Sequence, residues 1–259
     1  TGGSGTLGSV MSQELSKVGA NVVILGRAED PGEALAEQIN EAGGSALAIS
    51  TDVLDHNSLS NALENVMQTY GRVDILVNAA GGNKSEATAV PGTRTFFDLP
   101  PDAMQWVFNL NFTGTVLASQ VFGKVMTEQQ QGTIINISSM ASFRPMTRVV
   151  AYAGAKAAIN NFTHWLAVYM ATKHSPNIRV NAIAPGFFLA QQNRFLLIDE
   201  ETGDLTERGQ QIIDHTPMNR FGDPEDLIGA LIWLAGDASK FVTGIVVPVD
   251  GGFSAFSGV

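Results

Sequence analysis

A phenol and an ammonium one helical turn apart carry the first chemical signal in this chain. In Tyr152-Ala153-Gly154-Ala155-Lys156 the two groups stand at i and i+4, so on a helix they share one face and the charge can act on the phenol. A free tyrosine has a pKa of about 10, and each unit of depression corresponds to about 1.4 kcal/mol of preferential stabilisation of the phenolate. Such a tyrosine suits proton transfer to or from a reacting oxygen. Ser138 and Ser139 stand upstream, directly after the apolar run 133–137. A hydroxyl there lies at the carboxyl end of a strand, where open α/β sheets meet their ligands. Taken alone, the Tyr–Lys spacing is equally that of an ordinary amphipathic helix.

A second signal lies at the start. Thr1-Gly2-Gly3-Ser4-Gly5-Thr6-Leu7-Gly8 leads into a helix ending near Gly19, and a strand follows at Asn21. Glycines in such a turn let the backbone bend tightly and approach a pyrophosphate, while the helix N-terminus favours the anion. The next strand ends in Leu25-Gly26-Arg27, about 20 residues downstream, where dinucleotide-binding folds read the adenosine ribose. No carboxylate stands at Gly26 to take a 2′-hydroxyl and repel a 2′-phosphate, and Arg27 offers phosphate a bidentate partner. NADP(H) is therefore expected over NAD(H). The plainer account of Arg27 is a solvated loop arginine, and Glu29 and Asp30 close behind it oppose a phosphate.

The elements that must position these groups alternate. Runs rich in Val, Ile and Leu at 22–25, 46–50, 73–77, 133–137, 179–183 and 245–249 read as buried strands. Segments with helical spacing lie between them, at 32–42, 58–70, 102–127, 152–173 and 223–235. The alternation predicts an α/β protein, a single-domain Rossmann fold over residues 1–259 with a doubly wound parallel sheet and helices on both faces. Two long polar stretches, 81–101 and 186–216, break the pattern; loops of that length are commonly functional. The second is expected to form a substrate lid. Because the phosphate-binding turn normally follows a strand, the first strand is expected to be missing from the chain given and present in the native protein.

Composition bounds the chemistry. With 44% hydrophobic and 15% charged residues the chain has material for a large core. It has no cysteine, which removes disulfides and thiolate chemistry, and no metal site is expected. The formal net charge of −10 opposes binding to nucleic acid or to an anionic membrane. No apolar run long enough for a membrane span and no signal-peptide pattern is present, so the protein is expected in the cytoplasm.

Taken together and in order, the motifs resemble those of the short-chain dehydrogenase/reductase family over essentially the whole length. They are the glycine turn at 1–8, Asp52-Val53, Asn78-Ala79-Ala80-Gly81, Asn111, Ser139, Tyr152 with Lys156, Asn181, Pro185-Gly186 and Val249-Asp250-Gly251-Gly252. The resemblance implies that Tyr152 is the general acid or base and that Ser139 hydrogen-bonds the reacting oxygen. Lys156 would hold the nicotinamide ribose and lower the tyrosine pKa, and Asn111 would position a water in a proton relay. Gly2, Ser4, Gly5, Thr6, Leu7, Gly8, Arg27, Asp52, Val53, Asn78, Ala79, Ala80, Gly81, Tyr152, Lys156, Pro185 and Gly186 would serve the cofactor. Within that set Asp52 and Val53 flank adenine, Asn78 stabilises the sheet, and Pro185-Gly186 borders the nicotinamide. Three positions depart from the family pattern: Thr6 replaces a glycine, Ala79 replaces a second asparagine, and Ala190 stands where a threonine is usual.

The segments expected to line the substrate pocket are polar. Asn83, Lys84 and Arg94 lie in the first, Arg144 and Arg148 between Ser139 and Tyr152, and Gln191, Gln192, Asn193 and Arg194 after Gly186. Amides and guanidinium groups suit hydroxyls and a carboxylate, so the expected substrate is a small anionic carbonyl or alcohol. Arg144 is the first candidate for the carboxylate, with Arg148, Arg194 and Lys84 as alternatives. In detail the chain is most similar to the bacterial branch of D-mannonate oxidoreductases, which implies interconversion of D-fructuronate and D-mannonate. Gluconate 5-dehydrogenase and 3-oxoacyl-carrier-protein reductase are the runners-up, and a non-catalytic NADP-sensing Rossmann protein is the reading from another class. Family precedent also implies a homotetramer or homodimer paired through 102–127 and 152–173.

Overall fold

In a computed structural model, which describes residues 1–189, 194–199 and 201–258, the strands lie on the runs read from the sequence. They are β1 (Asn21–Gly26), β2 (Ser45–Ser50), β3 (Ile75–Asn78), β4 (Gly132–Ile137), β5 (Ile178–Pro185) and β6 (Val246–Val249). Strand β3 begins two residues later than expected. The side-chain amide of Gln129 takes both backbone groups of Val73, accepting from its N–H at 2.9 Å and donating to its carbonyl at 2.6 Å, so no strand partner is needed there.

The helices are α1 (Thr6–Lys17), α2 (Glu29–Glu41), α3 (His56–Tyr70), α4 (Pro101–Phe108), α5 (Gly114–Gln129), α6 (Val150–Lys173), α7 (Arg194–Leu197), α8 (Glu207–Asp214) and α9 (Ile228–Ala235). All strand pairs are parallel, in the orders β1-β2 and β3-β4-β5-β6. Alternate residues of β4 show why helices cover both faces. Ile134 packs with Phe122 and Met126 of α5 and Leu166 of α6, whereas Ile135 and Ile137 pack with Met11 of α1 and Leu231 and Leu234 of α9. The period of two in a fully buried strand demands an apolar layer on each side.

The first residues join the two sets of strands. Gly2 N–H donates to Leu25 O at 2.7 Å, Thr1 N–H donates to Val77 O at 2.7 Å, and Ala79 N–H donates to Thr1 O at 3.1 Å.

The helix expected over 102–127 is interrupted. Residues Asn109–Thr113 form a π turn between α4 and α5. Asn111 explains the interruption: its side-chain amide donates to Val107 O at 2.8 Å and to Gly82 O at 2.7 Å, and its Oδ1 accepts from Gly82 N–H at 3.2 Å. The wide turn brings a helix side chain onto a loop backbone, a use typical of π turns at functional sites.

A buried polar chain fixes α6, the longest helix, on the sheet. Asn78 of β3 donates to Asn136 Oδ1 of β4 at 2.9 Å and to Ser119 Oγ of α5 at 3.0 Å. Asn136 in turn donates to Thr163 Oγ1 of α6 at 2.9 Å, and all four residues are buried. Asn136→Ala leaves Asn78 and Thr163 without that partner, and each orphaned buried group costs about 1–3 kcal/mol. The expected result is a loss of about 2–3 kcal/mol in urea unfolding; a loss under about 1 kcal/mol would show that this chain does not hold α6.

Candidate active site

Around the carboxyl ends of β1, β3, β4 and β5 lies a cavity of about 730 Å³, within the range of about 300–1,000 Å³ usual for ligand and cofactor sites. The glycine turn forms one wall. A Cβ at Gly8 would stand 2.1 Å from Gly2 O, and one at Gly2, whose φ is +65°, would stand 2.6 Å from Ala80 N. Only glycine permits this approach of turn, helix and β3 loop. The first amides of α1, which no helix carbonyl can reach, open on the same wall with Ser4, Gly5, Thr6 and Leu7. A dinucleotide fits this lining: an anion cradle stands at one end, and Val53, Gly26, Arg27 and Ala28 stand where the sequence reading put the adenosine.

The other end carries Ser139, Tyr152 and Lys156. Ser139 follows β4, and its Oγ accepts from Ala141 N–H at 3.2 Å and lies near the Tyr152 phenol. Lys156 is buried, with its ammonium 2.8 Å from Ile137 O and 5.5 Å from the centre of the Tyr152 ring. Burial brings this lysine down to about 8. Burial also pushes the Tyr152 phenol above its ordinary value, and the nearby Ser139 hydroxyl offsets only part of that rise. The sequence reading expected a depressed tyrosine. In the protein alone the ammonium is turned to a carbonyl and desolvation wins.

Sequence reasoning missed a brace behind these groups. Ser138 Oγ donates to Asn160 Oδ1 at 2.5 Å, Asn160 Nδ2 donates to Ser142 Oγ at 2.7 Å, and Ser142 Oγ donates to Ser139 O at 2.6 Å. These bonds fasten the Ser139 turn to α6. Leu25, Ala28, Thr51, Gly82, Leu110 and Ile137 also line the cavity without having been singled out; as apolar or backbone contacts they leave no chemical signature in sequence.

Most residues expected at the cofactor meet here: Gly2, Ser4, Gly5, Thr6, Leu7, Gly8, Arg27, Val53, Ala79, Ala80, Gly81, Tyr152, Lys156, Pro185 and Gly186. Two do not line the cavity. Asn78 points into the core, as described above, and Asp52 turns back to accept from Leu54 N–H at 2.9 Å in the approach to α3. Asn111 stands behind Gly81 and Gly82, and a Cβ on Gly81 would lie 2.6 Å from its Oδ1 and 3.3 Å from Lys156 Nζ. Phe187 and Phe188 join the wall, and Phe188 belongs to the core as well.

The residues expected to read substrate divide. Arg144, the first candidate, has its guanidinium spent on the C-terminal turn, donating to Ser254 O at 3.0 and 2.9 Å. Lys84 lies 4.2 Å over the Trp106 ring, and Asn83 donates to Thr88 Oγ1 at 2.8 Å. Arg94 holds Ser85 O and Thr88 O. Arg148 is half-buried and Arg194 exposed. Gln192, like Ala190, Gln191 and Asn193, lies outside the described residues.

Residues 1–200 match the family model for short chain dehydrogenases. The chain belongs to this family. It is 51% identical over 267 residues to an uncharacterized oxidoreductase of Bacillus subtilis, UxuB, covering 100% of this chain and 95% of the relative. It is 33% identical over 253 residues to the 5-keto-D-gluconate 5-reductase of Escherichia coli, covering 97% and 92%. Among solved structures, one from Haemophilus influenza provisionally named a D-mannonate oxidoreductase, with bound NAD, superposes with a TM-score of 0.93 at 45% identity, covering 100% and 94%. This short-chain dehydrogenase is an NAD(P)-dependent oxidoreductase acting on alcohol and ketone groups. The expected preference for NADP(H) draws no support from that neighbour, which holds NAD.

The buried lysine makes stability depend on pH in a stated direction. Below about pH 8 folded and unfolded chains both hold the Lys156 proton, and the folded one bears the cost of a buried ammonium. From about 8 toward the ordinary 10.5 the folded chain sheds the proton first, so stability rises with pH across that window. The unfolding free energy of wild type minus that of Lys156→Met, measured in denaturant from pH 7 to 10.5, is expected to increase. A flat difference would mean that the lysine is not desolvated.

Proposed function

We propose that this short-chain dehydrogenase interconverts a keto-sugar acid and the corresponding aldonate, with D-fructuronate and D-mannonate as the leading pair. The observation that carries the chemistry is the convergence of Ser139, Tyr152 and Lys156 on one cavity beside a glycine cradle. The similarity to enzymes named for sugar acids supports the substrate class.

When bound, the nicotinamide supplies a hydride to the carbonyl carbon or takes one from the alcohol. The protein handles the oxygen. Ser139 Oγ hydrogen-bonds the carbonyl oxygen, and the Tyr152 phenol gives it a proton, so that ketone plus hydride plus proton balances as alcohol. A phenol raised by burial is fully protonated at neutral pH and therefore ready as the acid for reduction. Lys156, held by Ile137 O, keeps a cation beside the phenolate that remains. Asn111, with its side chain fixed to Gly82, is assigned to the family's proton relay. Residues 186–216 act as the lid of a single domain. For the cofactor, Gly26 and exposed Arg27 favour NADP(H), whereas likeness to a NAD-bound protein favours NAD(H).

The exposed aromatic surface of α6, where Trp165 stacks on Tyr169 at 5.0 Å and on Phe162 at 6.4 Å, suits a homodimer or homotetramer contact. No helix among the described residues is long and apolar enough to cross a membrane, in keeping with a cytoplasmic enzyme.

Activity on D-fructuronate, 5-ketogluconate, neutral fructose and an acetoacetyl thioester, each with NADH and NADPH, tests the reading. The keto-sugar acids are expected to give the highest kcat/KM. Preference for the thioester would move the assignment to fatty-acid chemistry, and cofactor binding without turnover of any substrate would favour a sensor. Tyr152→Phe is expected to lower kcat by about 10²–10⁴-fold with cofactor binding nearly intact; a variant keeping more than about a tenth of wild-type kcat would overturn the acid–base assignment.

A further inference from the structure

Ser139 and Tyr152 must meet the same oxygen, yet the backbone between them runs through a loop in which Phe143, Arg144, Pro145 and Thr147 are all exposed. Such a segment fixes the distance between two reacting groups poorly. A shorter connection runs through side chains. Asn160 stands on α6 at the third step of the i, i+4 series begun by Tyr152 and Lys156, and so on their face of the helix. Its Oδ1 accepts from Ser138 Oγ at 2.5 Å, its Nδ2 donates to Ser142 Oγ at 2.7 Å, and Ser142 Oγ donates to Ser139 O at 2.6 Å.

Each of these bonds sets the direction of the next. Because the Asn160 amide donates to its oxygen, the Ser142 hydroxyl turns its proton to the Ser139 carbonyl, which also accepts from Ser142 N–H at 3.0 Å. The backbone of Ser139 is thereby held extended, at φ −163° and ψ 155°. Its Oγ accepts from Ala141 N–H at 3.2 Å, which leaves the hydroxyl proton for an oxygen in the cavity that Ser139 lines. Asparagine is a weak choice inside a helix, since its amide competes with the helix backbone; at 160 both ends of the amide serve the Ser139 turn instead. The helix itself does not need it, because the deeper chain from Asn78 to Thr163 already holds α6 on the sheet.

We propose that Asn160 is a positioning residue for the reaction, its amide setting, through Ser142, the place and direction of the Ser139 hydroxyl relative to Tyr152. The inference rests on the role given above to Ser139 at the carbonyl oxygen and adds the group that aims it; it does not depend on which carbonyl compound is reduced. One rigid helix then carries the acid, the cation and the amide that holds the second hydrogen-bond donor. A donor that must meet the oxygen as charge develops there is effective only when it is held before the reaction begins.

The test uses the whole enzyme and whichever of the four carbonyl compounds above it reduces fastest, with Kd for NADH and NADPH measured by calorimetry. Asn160→Leu, which keeps the bulk and removes the amide, is expected to lower kcat by about 10- to 100-fold and to change KM and cofactor Kd by less than about threefold. Ser142→Ala should give the same split, and serves in its place should Asn160→Leu fail to fold, whereas Ser142→Thr, which keeps the hydroxyl, should recover most of the rate. The decisive comparison is made in a Ser139→Ala background, where there is nothing left to aim: there Asn160→Leu or Ser142→Ala should cost less than about threefold further. Losses that multiply in full, or a fall in cofactor affinity parallel to that in kcat, would show a merely structural residue and overturn the proposal. Wild-type kcat in Asn160→Leu and Ser142→Ala beside a crippled Ser139→Ala would overturn the positioning role alone. Wild-type kcat in Ser139→Ala would overturn the role of the serine, and the positioning with it.

Discussion

A buried ammonium, that of Lys156, ties the end of β4 to the opening turns of α6 and leaves little freedom to the groups around it. Its hydrogen bond runs to the carbonyl of Ile137, two residues before Ser139, so the strand that delivers the serine and the helix that carries the tyrosine share one register point. Burying a cation without a carboxylate is costly, and the depressed lysine records that cost. The surroundings are arranged to tolerate it. Gly81 leaves room against the ammonium, and Asn111 closes the space behind through its bonds to Gly82. The π turn that interrupts the helix between α4 and α5 is what allows Asn111 to reach that position.

The same logic accounts for the polar residues deeper in the fold. The chain Asn78–Asn136–Thr163 and the brace Ser138–Asn160–Ser142 both run from the sheet or its loops to α6. Apolar packing alone lets a helix slide along a sheet by fractions of a turn at small cost, whereas hydrogen-bonded pairs in a low dielectric admit one register. The catalytic geometry therefore depends on interactions that contribute specificity of position rather than chemistry.

This division explains what the sequence made legible. Fully buried parallel strands are runs of Val, Ile and Leu, so β4 and β5 could be read directly, and Tyr152 with Lys156 could be paired because helical spacing alone brings them together. Gly8 was legible for a steric reason that involves only its own turn. What failed was whatever depends on distant partners. Gln129 shortens β3 by capturing Val73, and Asn111 breaks a continuous helical pattern by binding a loop. The tyrosine was expected to be depressed because the spacing shows the lysine but not the Ile137 carbonyl that draws the ammonium away.

The cations at the substrate end follow the same rule with a different outcome. Proximity in sequence favoured Arg144, which lies between Ser139 and Tyr152, yet the C-terminal turn, distant in the chain, folds back and takes its guanidinium at Ser254. In a protein of net charge −10 the long-range field repels an anion, and at physiological ionic strength that field is screened beyond about 8 Å. Recognition of the acid proposed above would then have to be local, made by a cation that the fold brings to the site itself.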